Sequence, residues 1–221
     1  MTGPVLAGRT PGVHLDERGQ KQAHAVGERL RPLPLAAIVT SPLERCRETA
    51  EAILDGREST PLHVEEQVIE CEYGEWTGRP LKDLAKDPLW KVVQAHPSAA
   101  VFPGGEAMRD AQVRAVAAIR RWNDQLGDEA TYVVVSHGDI IKAVLADALG
   151  VHLDQFQRIS VDPCSVSVIR YTSLRPFVLR TNDTGGGVAD LIPPKPKRRR
   201  SSKAASHSDA TVGGGAGGGS V

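Results

Sequence analysis

The spacing of apolar positions changes several times along this chain, and each change marks a new element. Residues 1–14 read as loop, because Gly3-Pro4 and Thr10-Pro11-Gly12 are turn chemistry. After Asp16, a residue suited to capping, Ala23, Val26 and Leu30 recur at helical spacing. A helix is predicted there, ended by Pro32 and Pro34. The unbroken apolar run 35–39 reads as a short buried strand. Ser41-Pro42-Leu43-Glu44 has Ser at an N-cap, Pro at the first helical position and Glu at the third, a capping box, and predicts a helix over 41–54. Residues 62–64 read as a strand, 70–78 as irregular, and 81–85 and 89–95 as helical. Pro103-Gly104-Gly105-Glu106 precedes a long amphipathic helix reaching 126, with Val113, Val116, Ala117 and Ile119 on its apolar face. A strand at 131–135, a helix at 139–149 and strands at 165–171 and 176–181 complete the pattern.

Helices alternating with short apolar strands predict an α/β layered fold in a domain over 1–183. From 184 to 221 the composition shifts to Pro, Lys and Arg and then to Gly and Ser, too poor in apolar surface to offset ordering entropy, so that segment reads as a disordered tail. Lys+Arg equals Asp+Glu overall, but the tail carries about +4 and the body about −4. A mildly acidic body argues against nucleic acid as the main ligand. The basic run 195–200 is similar to a nuclear localisation signal, yet such runs also occur in solvated tails. Three widely spaced cysteines without a CxxC fit reduced thiols in a cytoplasmic protein and give no zinc pattern. No apolar stretch approaches the ~20 residues of a membrane span, and residues 1–6 lack signal-peptide character.

Three segments carry candidate chemistry. Ser136-His137-Gly138 follows the predicted strand 131–135 and opens a helix, which puts an imidazole at the carboxyl edge of a sheet, where sites of open α/β folds lie. The plain alternative is a histidine satisfied at a strand end. Ser41 to Ala50 delivers Arg45 to the first turn of a helix, where backbone N–H groups and a guanidinium suit phosphate oxygens. Alone, Arg45 and Arg47 read as well as surface charges. Glu70 to Gly78 places carboxylates in a Gly and aromatic loop, where apolar neighbours raise a carboxyl pKa toward that of a useful proton donor. Alone, it reads as a charged surface loop.

In this order the segments resemble the histidine phosphatase superfamily, the phosphoglycerate-mutase-like fold. The family pattern runs from a strand ending Arg-His-Gly through Leu-Thr/Asp-x-x-Gly, Ser-Pro-x-x-Arg-x-x-x-Thr-Ala and Glu-x-x-x-Gly-x-x-x-Gly to Ser-His-Gly. Leu15 to Gly19, Ser41 to Ala50, Glu70 to Gly78 and Ser136 to Gly138 match the last four elements, and the likeness spans residues 5–183. Residues 6–12 and the tail resemble an actinobacterial branch described as phosphomutases or phosphatases. The resemblance implies a three-layer fold with a mixed, mostly parallel sheet flanked by helices. It implies a phosphomonoester phosphatase or phosphomutase working through a phosphohistidine on a small phosphoester, with no metal or cofactor. Arg45 would grip the phosphoryl oxygens, His137 would bind and stabilise the transferring group, and Glu70 would protonate the leaving oxygen, with Glu72 the weaker choice. Residues 79–105, with Trp90, His96 and Phe102, would form a lid. Phosphatase or mutase, and monomer or homodimer, stay open.

The nucleophile of that pattern is missing. No Arg-His-Gly precedes Leu15, His14 sits in the loop before the first helix, and His24 lies within that helix. The strand that would carry it is central in the family's sheet, so its loss would remove several apolar side chains at ~1.5–3 kcal/mol each from a stability of ~5–15 kcal/mol. Three expectations follow: an intact enzyme whose start lies upstream of Met1, a truncated product, or a non-catalytic relative that binds phosphorylated ligands through Arg45 and His137.

Overall fold

The structure, a computed structural model, describes residues 5–186. Helix α1 (Glu17–Leu30) begins as expected: Asp16 is extended and its carboxylate accepts from Gly19 N at 2.7 Å. It packs on α2 (Glu44–Leu54) at close range, because a Cβ on Gly27 would lie 2.5 Å from the Ala52 carbonyl oxygen.

Strand β1 (Leu35–Thr40) lies between β2 (Leu62–Val64) and β3 (Thr131–Val135), parallel to both. The register aligns Leu62, Ile38 and Val133 on one rung and His63, Val39 and Val134 on the next. Successive strand residues point to opposite faces, so the two rungs face different helices. The first joins Val26, Leu30, Cys46, Ala50 and Ile53 of α1 and α2 in one apolar cluster. On the second face lies α5 (Met108–Leu126), where the Trp122 ring meets His63 at 5.0 Å and the Tyr132 hydroxyl donates to Asn123 Oδ1 at 2.8 Å. Helices therefore cover both faces of a parallel sheet, the α/β architecture expected.

The sheet then breaks. Strands β4 (Val166–Arg170) and β5 (Phe177–Asp183) form a separate antiparallel pair. Among the described residues no strand pairs with the second edge of β3 or of β4. Val133 of β3 and Val166 of β4 nevertheless pack against the same cluster. Ser165 Oγ and the Tyr171 hydroxyl, at the two ends of β4, are buried with no hydrogen-bond partner among the described residues.

A second core gathers around α5, α6 (Gly138–Leu149) and the short helices α3 (Leu81–Leu84) and α4 (Pro88–Ala95). Trp76 anchors it, stacking on Trp90 at 6.1 Å and meeting Phe102 edge-on at 5.3 Å. Trp90 and Phe102 are thus core residues and not part of a lid; of the three lid candidates only His96 is exposed. The apolar face of α5 also differs from expectation. Val113 is 65% exposed and Ala117 is exposed. Val116 and Ile119 are buried as expected, and the buried face continues through Ala118 and through Ala111 and Ala115, small residues that let α5 lie against Ala143 and Ala146 of α6. No helix among the described residues is long and apolar enough to cross a membrane. The tail reading falls, from residue 187 onward, outside the described residues.

Gly27→Ala separates two opposing effects. Alanine favours a helix by up to ~1 kcal/mol over glycine, whereas overpacking costs ~1–3 kcal/mol. The obstacle is backbone, the Ala52 carbonyl, so the clash wins. Urea unfolding of G27A is expected to show a net loss of ~1–2 kcal/mol; unchanged or increased stability would show that the helices separate freely.

Candidate active site

Parallel pairing of β1 with β3 sets Thr40 beside Val135, so the carboxyl ends of the two strands leave the sheet together. Ser41 N continues the ladder by donating to the Val135 carbonyl at 2.9 Å. Beyond it, α2 lifts Arg45 in its first turn, and His137 is the extended N-cap residue of α6. The two side chains meet: Arg45 Nη2 lies 3.1 Å from His137 Nδ1 and also donates to the Gly8 carbonyl at 2.9 Å. An arginine can only donate, so Nδ1 accepts and the ring proton sits on Nε2, which donates to Ser41 Oγ at 2.7 Å. The imidazole is 5% exposed, and burial, then the charges of Arg45, Arg114 and Arg9, hold its pKa well below the usual histidine range. It is neutral at physiological pH. Arg45 Nη1 is buried and has no hydrogen-bond partner among the described residues.

Sequence reasoning assigned Ser41 to a capping box, and the structure corrects this. The N-cap of α2 is Leu43 with no side-chain cap bond of its own, and the Ser41 hydroxyl, two residues upstream, accepts both from His137 Nε2 and, at 3.4 Å, from Leu43 N. Cys46 packs beside the ring, its sulfur 3.6 Å from His137 Nε2. Burial pushes its thiol up to about 12, so it stays protonated and unreactive.

Glu70 is 2% exposed and its Oε1 accepts from Cys71 N at 2.9 Å. Burial, then the charge of Asp139, raise its pKa to about 8 against the opposing pull of Cys71 N, Arg45 and Arg114. At neutral pH this carboxyl holds a proton, as an acid catalyst requires. Glu72 is exposed and ion-paired with Arg9 at 3.1 Å, which separates the two sequence candidates in favour of Glu70. Asp139, fully buried, accepts from the Tyr73 hydroxyl at 2.8 Å and lies 3.6 Å from Lys142 Nζ. Sequence reasoning missed Asp139, although Asp and Lys three residues apart on the buried face of an apolar helix are a readable signal. Neither remaining N-terminal histidine reaches the pocket: exposed His14 pairs with Glu48, and His24 is exposed on α1.

The sequence profile of the histidine phosphatase superfamily (branch 1) matches residues 4–184. The chain belongs to that superfamily. Within it, the chain is 30% identical to phosphoserine phosphatase 1 of Hydrogenobacter thermophilus over 178 residues, covering 77% of this chain and 81% of that one. It is 28% identical to a probable phosphoglycerate mutase GpmB of Erwinia tasmaniensis, covering 69% and 71%. Among solved structures, Bacillus stearothermophilus YhfR superposes with a TM-score of 0.70 at 27% identity, covering 79% of this chain and 89% of that one. Membership in the histidine phosphatase superfamily bears out the resemblance read from the sequence and places the Arg45–His137 pair in a family of phosphatases and phosphoglycerate-mutase-like proteins.

The raised Glu70 pKa makes stability depend on pH with a defined sign. Between about 4.5 and about 8 the folded chain holds a proton on Glu70 that the unfolded chain has released. Stability contributed by this group therefore falls as pH rises through that window, by at most ~1.4 kcal/mol per unit. Glu70→Gln is expected to abolish the slope. Urea unfolding should find E70Q close to the parent near the acid end and more stable at the alkaline end; parallel pH profiles would show that Glu70 ionises normally.

Proposed function

We propose that the protein is a cytoplasmic phosphomonoester phosphatase or phosphomutase in which Arg45 and His137 hold the transferring phosphoryl group and Glu70 is the acid. The observation that carries this reading is the part-buried Arg45–His137 contact, with one buried guanidinium nitrogen that has no partner among the described residues, near a protonated carboxyl. A dianionic phosphoryl group would supply the acceptors that Nη1 lacks, in a pocket whose low dielectric strengthens each charge-assisted bond.

The reaction needs a nucleophile, and no histidine of residues 1–221 stands beside the pair in the described part of the chain. The reading assigns it to a histidine ending a strand that fills the break between β3 and β4. Among the described residues both edges there are open, and Val133 and Val166 share one apolar cluster. That imidazole would attack phosphorus as the P–O ester bond breaks, and the proton on Glu70 would pass to the departing oxygen. Water would then cleave the P–N bond, its proton returning to the Glu70 carboxylate. A second hydroxyl in place of water would make the protein a mutase. The second reading is phosphate binding without turnover, which the Arg45–His137 pair supports by itself.

Protein carrying the Arg-His-Gly strand is expected to hydrolyse an aryl phosphate without added metal and to be inhibited by vanadate. Arg45→Ala should cost about 10²-fold or more in kcat/KM. Full activity in R45A would overturn the assignment. Mass spectrometry of the native N-terminal peptide distinguishes the two readings. A peptide upstream of Met1 ending in that motif supports the enzyme. A chain starting at Met1 or Thr2, with phosphate raising its Tm and no turnover, supports the binding protein.

A further inference from the structure

Behind Glu70, two guanidinium groups converge on one carbonyl. Arg9 Nε donates to the Glu70 carbonyl oxygen at 2.7 Å, and Arg114 Nη2 donates to the same oxygen at 3.2 Å. Arg114 Nη1 also donates to the Gln67 carbonyl at 2.7 Å. Between the two arginines lies Glu106. Its carboxylate accepts from Arg114 Nε at 3.0 Å and Nη2 at 2.7 Å, from Arg9 Nη2 at 3.0 Å and from Glu72 N at 2.9 Å. Burial raises the Glu106 pKa, but the bonds from Arg114 and Glu72 N and the two guanidinium charges more than reverse this, so it is held below the usual range as a carboxylate. The backbone locks the same parts together: Glu106 N donates to the Glu72 carbonyl and Glu75 N to the Pro103 carbonyl, each at 2.9 Å.

Both lone pairs of the Glu70 carbonyl are therefore taken by charged donors. That carbonyl and Cys71 N–H are the two ends of one rigid peptide plane. The N–H end holds the Glu70 carboxyl itself. Fixing the oxygen end aims the N–H, and polarising the carbonyl strengthens that N–H as a donor. A network meant only to tie loop to helix has no need of two guanidiniums on this one oxygen.

We propose that Arg9, Glu106 and Arg114 are positioning residues for Glu70, orienting its carboxyl through the Glu70–Cys71 peptide plane. The inference rests on Glu70 being the acid of the proposed reaction. Besides this brace, Glu70 is faced by Arg45 from α2, Asp139 from α6 and the Tyr73 phenol of its own loop.

Arg114→Lys tests the brace, because lysine keeps the charge but cannot fork across Glu70, Gln67 and Glu106. The readout is the Cys71 amide proton followed by NMR against pH, with Glu70→Gln assigning the transition to Glu70. In the parent, ionisation of Glu70 should move this proton downfield. In R114K the amplitude should fall by half or more, and the midpoint should rise by about half a pH unit, roughly threefold in acid constant. Amplitude and midpoint both unchanged in a folded R114K would overturn the brace, leaving only a structural tie. If R114K loses its amide dispersion, Arg9→Lys is read in the same way. A parent midpoint in the ordinary carboxylate range would overturn the acid assignment alone, since the fall in amplitude still reports the brace.

Discussion

The contact from the Arg45 guanidinium to the His137 imidazole is the constraint around which this molecule is arranged. It joins the first turn of α2 to the start of α6, elements separated by 92 residues. They meet only because β1 and β3 are parallel neighbours in register, Thr40 beside Val135. Neither partner tolerates that burial alone. The guanidinium needs acceptors, and the Gly8 carbonyl and the imidazole supply two. The imidazole must stay uncharged next to a cation, and burial and the surrounding arginines see to that. The loop before α1 is drawn in as a consequence: Gly8 takes a φ of +52° to present its carbonyl, and a Cβ there would lie 2.9 Å from Thr77 Oγ1.

Two glutamates that share the same pair of arginine neighbours show how environment, not residue type, decides charge. Glu70 is buried with one amide donor and the nearby Asp139 charge, and it keeps its proton. Glu106 is only partly buried, gathers donors from two arginines and an amide, and loses it. The arginines between them serve both states at once, neutralised by one carboxylate and gripping the main chain of the other residue.

Elements with a local signal were legible in the sequence. Asp16 as cap, the period of α1, the apolar runs of β1 and β3 and the ordered motifs around Arg45, Glu70 and His137 all stand in the structure where the pattern put them. What was not legible depends on partners distant along the chain. Ser41 has the right identity for a cap and does accept from Leu43 N, but the helix starts two residues later and a histidine 96 residues away shares the hydroxyl. Val113 and Ala117 fit a helical stripe, yet α6 offers alanines, and close approach to small residues outweighed burial of a valine. Arg9 sits in a loop with no periodicity, and its bond to the Glu70 carbonyl spans 61 residues. Trp90 and Phe102 looked like lid residues because they lie in a segment of short helices, but three aromatic rings brought together form a core before they form a cover.

The break in the sheet has a further consequence for how the chain behaves in company. Thr131-Tyr132-Val133-Val134-Val135 is rich in β-branched residues, uncharged and free of proline, and no strand among the described residues pairs with its outer edge. Such an edge is a template for any extended segment, including the same strand in another molecule. A strand seated in the break, as proposed, would therefore be more than a carrier of chemistry. It would also shield the edge of β3 from self-association, so that solubility at high concentration and completeness of the sheet would become one property.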